Sequence, residues 1–152
     1  MFSCMIAVTA STTHLIVADA GRASSWYQDV FGARECGRIT LDDGRLIHVE
    51  LRIGPLELML ADEFPEFRAD APAPTAELPL VLYLHTPAVD SMWHRALRSG
   101  AVPTRPLSDA PWGEREGQLR DPFGYRWGIT QRLHDLAPED LAATMRAVLA
   151  SQ

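Results

Sequence analysis

Two side chains open the question of chemistry. His48 and Glu50 alternate with Ile47, Val49 and Leu51, so in an extended strand they share one face while the apolar set takes the other. Facing a cavity, His48 is a candidate general base, the imidazole being the side chain best suited to proton transfer near neutral pH. Glu50 can orient its ring or act on its own. Arg120 falls on the matching strand of the second half and can hold an anionic group through its two-pronged guanidinium. His14 and Trp112 are candidates to complete a ligand pocket, Trp112 because a large aromatic in a Pro-Trp-Gly loop suits a lid or a subunit contact. The same His-x-Glu-x-Arg stripe (His48, Glu50, Arg52) also fits a solvated or subunit-facing strand with cross-strand ion pairs.

Composition removes other chemistries. The 152 residues carry 14 basic side chains, all of them Arg, and no Lys, which excludes a P-loop lysine, a Schiff-base lysine and a lysine base. The net charge of -6 argues against nucleic acid or an anionic membrane as partner. No apolar run approaches the roughly 20 residues of a membrane-spanning helix. The start of the sequence reads as mature protein rather than a signal peptide. Cys4 and Cys36 then read as reduced thiols, and the expected location is cytoplasmic. There is no Cys-x-x-Cys or Cys/His cluster for structural zinc.

The elements that must position these residues come in two copies. Thr12 to Ala18 reads as a strand, Asp19 as a helix cap, and Ala23, Trp26, Tyr27, Val30 and Phe31 as one apolar helix face ending at Gly32. Leu80 to His85 repeats the strand, with Thr86 as cap, Pro87 as first helical residue, and Val89, Met92, Trp93, Ala96 and Leu97 at the same spacing before Gly100. Three strands follow each helix. In the first copy Asp42-Asp43-Gly44 and Gly54-Pro55 separate them. In the second they are Ala101 to Leu107, Gly117 to Arg120 and Tyr125 to Thr130, with a turn at Asp121-Pro122-Phe123-Gly124. The expected fold class is α+β: tandem βαβββ modules at about 12–62 and 79–132, a linker at 63–78, and a C-terminal helix at about 138–150 with Leu141, Met145, Val148 and Leu149 on one face. The helix of each module covers one sheet face. The other faces are left to form a cupped mixed sheet around a small-molecule cavity. His85 is expected on a helix-covered face, and His94 and His134 on the surface.

The run SWYQDVFGA (Ser25 to Ala33) resembles the helix-to-strand signature of the glyoxalase/bleomycin-resistance/extradiol-dioxygenase superfamily, the vicinal oxygen chelate proteins. Gly44 to Glu66, Trp112-Gly113 and Asp121 to Trp127 look like its PhnB-like branch. The resemblance covers about residues 12–150 and implies the fold far more specifically than any reaction. It implies a small-molecule ligand, a homodimer, and in typical enzymes a divalent metal held by the first and last strands of each module. Those positions fall on Thr12, Leu58, Leu80 and Gly128, none of them a metal ligand. A slip in register would bring in Glu57, and His14 lies two residues past Thr12. The expectation is therefore no metal and no other cofactor. Two functions follow: a lyase or isomerase acting by proton abstraction, or a non-catalytic protein that sequesters an antibiotic or aromatic metabolite.

Overall fold

The computed structural model describes residues 8–151. Cys4 lies outside them. The chain divides into two compact units, at residues 1–71 and 72–152.

The first unit runs β1 (Thr13–Ile16), α1 (Ala20–Phe31), β2 (Arg34–Thr40), β3 (Leu46–Ile53) and β4 (Leu56–Ala61). The sheet order is β1-β4-β3-β2, with β1 parallel to β4 and the other pairs antiparallel. α1 begins where Asp19 accepts a hydrogen bond from the Arg22 N–H, and it ends at Gly32, whose φ of 69° is the left-handed C-cap conformation. Ala20, Ala23, Ser24, Tyr27, Val30 and Phe31 are its buried face. Trp26 sits at the border of that face, its ring edge-on to Tyr27 and Phe31. α1 packs on β3 and β4, where Val49, Leu51, Leu58 and Leu60 are fully buried. Each such side chain stabilises the fold by about 1.5–3 kcal/mol.

One carboxylate joins the starts of two elements: Asp62 accepts from the Ala20 N–H (2.7 Å) and the Leu46 N–H (2.6 Å). Beyond β4 the chain makes a short 3-10 turn at Pro65–Phe67, anchored by the buried Phe64 under the Arg45 guanidinium.

The second unit repeats the plan: β5 (Leu82–His85), α2 (Val89–Arg98), β6 (Val102–Ala110), β7 (Glu114–Arg120) and β8 (Arg126–Arg132), in the order β5-β8-β7-β6. β5 is parallel to β8 and the remaining pairs are antiparallel. The two units are thus the expected tandem βαβββ modules of an α+β fold, each a four-stranded mixed sheet with one covering helix. α3 (Pro138–Ala150) follows as the expected C-terminal helix.

Two local differences from the sequence reading have physical causes. α2 begins at Val89 with Ala88 as cap, because Thr86 Oγ1 accepts from the Ala88 N–H and closes a tight turn before the helix. β7 begins three residues before Gly117, its charged start held by Arg115 reaching Asp90 and Asp109. α3 buries none of its residues, and Leu141, Met145 and Leu149 are exposed.

Candidate functional site

Strand register decides which residues face away from the helices. In the first unit His14 pairs with Met59 and Met59 with Glu50. His14, Met59 and Glu50 therefore form a row across the sheet face opposite α1, and strand alternation adds His48, Arg52 and Glu57 to that face. Three of the sequence-predicted residues, His14, His48 and Glu50, are brought together in this way.

Their engagements differ. His48 is half-buried and has no hydrogen-bond partner among the described residues. Glu50 is not hydrogen-bonded to it; its carboxylate lies 3.8 Å from Arg52 Nη2, which also meets Glu57 at 3.3 Å. The His14 ring keeps much of its surface in water. Even so, protein against its inner side, and to a lesser degree the nearby His48, lowers its pKa below the usual imidazole value.

In the second unit the corresponding face carries Glu116, Gln118 and Arg120 on β7, Arg126, Gly128 and Thr130 on β8, and Tyr83 and His85 on β5, by the pairings Tyr83↔Gly128, Gly128↔Gln118 and Arg126↔Arg120. His85 is exposed on this face, contrary to the reading that put it against a helix. The hydrogen-bonded register Leu84↔Ile129 turns Leu84, not His85, toward α2.

A polar network crosses the face. Arg126 Nη2 donates to Gln118 Oε1 (2.9 Å), Gln118 Nε2 donates to Tyr83 Oη (2.7 Å), and Arg105 binds both that hydroxyl and the buried Glu116. Arg120 meets Glu77 Oε1 at 2.7 Å. Trp112, at the tip of the β6–β7 hairpin, lines a cavity of about 160 Å³ with Arg105, Glu116 and Val148 of α3. A second cavity of about 320 Å³ lies on the helix side, between Trp93 and Leu97 of α2 and Pro103 and Pro106 of β6.

Sequence reasoning named only Arg120 of this network. Its signal was available: Glu116, Gln118 and Arg120 alternate along β7 as His48, Glu50 and Arg52 do along β3.

The donor set can be tested against the metal site of the superfamily. Leu58, assigned to that site from sequence, is fully buried on the α1 side; the outward residues of β4 are Glu57 and Met59. The outward positions of β8 are Arg126, Gly128 and Thr130, without a metal ligand of the imidazole, thiolate or carboxylate kind. Tyr83 covers Gly128 so closely that a Cβ there would clash with its ring. On β5, His85 is a donor that the sequence reading did not count. Among the described residues no three His, Cys, Asp or Glu side chains gather as metal ligands would. These residues do not fit the four-ligand site.

A family model described as the Glyoxalase/Bleomycin resistance protein/Dioxygenase superfamily matches residues 7–129. The chain is 35% identical over 139 residues to uncharacterized protein Mb0911c of Mycobacterium bovis, covering 90% of this chain and 91% of that one. Among solved structures it resembles TioX from Micromonospora sp. ML1, with a TM-score of 0.62 and 27% identity over 82% of this chain and 100% of the other. A PhnB protein from Bacillus cereus has the same fold, with a TM-score of 0.62 and 22% identity over 81% of this chain and 99% of the other. With its two βαβββ modules and a match across most of its length, the chain belongs to the glyoxalase/bleomycin resistance/dioxygenase superfamily.

Proposed function

We propose that this protein takes up a small organic molecule and abstracts a proton from it with His48 as general base, as a lyase or isomerase that works without a resident divalent metal. The observation that carries the reading is the half-buried His48 ring on the helix-free face, with no partner among the described residues to occupy its nitrogens. A general base must be open to its substrate in this way. On the same sheet face, His14 has a pKa lowered by burial and, to a lesser degree, by His48, so it accepts a proton less readily than an ordinary imidazole. Glu50 does not orient His48 on this reading; it lies 3.8 Å from Arg52 in a loose surface pair. His14 is the proposed ligand contact on the His48 face of the first unit, and Arg120 and Trp112 are proposed ligand contacts of the second unit taken by itself.

The test is hydrogen–deuterium exchange. Compounds with a C–H activated by a neighbouring carbonyl are incubated with the protein in D2O and followed by proton NMR. Wild-type protein should exchange at least one of them. His48→Gln should slow that exchange by about 100-fold or more, the lower range for a general base, with a melting temperature within about 2 °C of wild type. Exchange that survives His48→Gln unchanged refutes the assignment.

Ligand binding with no exchange in the wild-type protein establishes the second reading, sequestration of an antibiotic or aromatic metabolite without turnover. Glu50 favours that reading, because it makes no hydrogen bond to His48 among the described residues and so leaves the ring without a carboxylate to orient it.

The proposal extends to assembly and location. A homodimer is supported by the bare apolar stripe of α3, Leu141, Met145 and Leu149. A cytoplasmic location is supported by the free, exposed Cys36 thiol.

A further inference from the structure

We propose that Arg120 and Arg126 form an oxyanion site in the second unit, closed in this structure by the protein's own Glu77, and that the ligand it takes carries a carboxylate or phosphate group. The inference rests on the small-molecule reading above and names the charge of the ligand.

The two arginines are directly opposite each other on β7 and β8. Like charges in that position repel, and a guanidinium cannot relieve the repulsion by losing its proton. The neighbourhood supplies one carboxylate for two cations. Glu77 Oε1 lies 2.7 Å from Arg120 Nη2, and the Pro74 carbonyl accepts a longer bond (3.4 Å) from Nη1. Arg126 pairs with no carboxylate among the described residues; its acceptor is the neutral Gln118 amide oxygen. Asp121, next along the chain, uses Oδ1 on the Phe123 and Tyr125 N–H groups and Oδ2 on Trp127 Nε1. Nε of both arginines is buried without an acceptor, which is uncommon in folded proteins and marks donors that a further oxygen ligand would satisfy.

Glu77 has the properties of a displaceable stand-in. It belongs to the segment between Pro72 and Val81, which forms neither helix nor strand, and its side chain is 76% exposed. An ion pair held that loosely is weak. A ligand carboxylate or phosphate can take its place, meet the Arg120 fork, and extend to Arg126, where two guanidiniums suit an oxyanion better than one. Gln118, bonded to both Arg126 and Tyr83, holds the second guanidinium in position.

The experiment uses the full chain, labelled with nitrogen-15, and follows the arginine Nε–H signals at constant ionic strength while inorganic phosphate or acetate is added. The Arg120 and Arg126 signals should shift and saturate with at least one anion, and sodium chloride at equal ionic strength should not move them. The anion that binds more tightly identifies the headgroup as phosphate or carboxylate. Glu77→Gln should tighten binding by about tenfold and Arg126→Gln should weaken it by about tenfold. Signals of Arg120 and Arg126 that stay in place at 50-fold the protein concentration and upward to about 100 mM of both anions overturn the proposal, as does a Glu77→Gln affinity equal to wild type. The wild-type titration needs no variant to fold, and it reads binding without turnover. Anion binding in a protein that shows no deuterium exchange therefore refutes proton abstraction alone.

Discussion

His14 and His48 show how one sheet face can hold two imidazoles with different surroundings. The lowered pKa of His14 has a consequence for stability. As pH falls, the unfolded chain takes up the proton at the ordinary value of about 6.5 before the folded protein does. Stability is therefore full above that pH and declines as pH falls from about 6.5 through the lower folded value. Urea unfolding at pH 7.5 and 5.5 should show this loss, and His14→Gln should make it smaller. The shared face of His48 and Glu50 was legible in the sequence because strict alternation along one strand fixes it, whereas His14 joins that face through the pairing of β1 with β4. Arg126 and Tyr83 were not legible, since their importance comes from strand register, which a single strand does not carry. Leu58, matched to the family's metal position, and His85 were placed on the wrong faces because neither placement carried strand register, which the partners Leu51↔Leu58 and Leu84↔Ile129 set otherwise.

At the scale of elements, close approach between strands explains Gly128. The Tyr83 ring lies on it, and nothing larger than hydrogen fits beneath. Gly128→Ala should destabilise the protein by about 1–3 kcal/mol through overpacking. Tyr83→Ala, itself destabilising, should cancel most of the added effect in the double variant, and chemical denaturation of the four proteins forms the cycle that measures it. α1 was readable to within a residue because its cap, its periodicity and its final glycine agree. α2 was not, because Thr86 makes its hydrogen bond within a turn rather than at the helix start. The start of β7 was hidden by Glu114, Arg115 and Glu116, which read as loop in isolation and are paired with charges from other elements in the fold. No helix among the described residues is long and apolar enough to cross a membrane.

For the molecule as a whole, duplication was the strongest signal in the sequence, since the same spacing of strand, capped helix and glycine recurs. The proposal of a metal-free protein is checked by elemental analysis of purified material. Less than about 0.1 transition metal per chain is expected, and about one per chain overturns it. The proposed homodimer is checked by sedimentation equilibrium. Leu141→Glu combined with Leu149→Glu should shift the protein to monomer if α3 contributes to the interface, without unfolding it, because α3 buries no side chain within its own chain.

The parallel pairing of β1 with β4, and of β5 with β8, joins the first strand of each unit to its last. During synthesis the leading strand must therefore wait, without its lateral neighbour, until the remainder of its own repeat has left the ribosome. The N-terminal half can complete its sheet while the other is still being translated. The repeated plan thus divides that wait into two short periods, one for each unit.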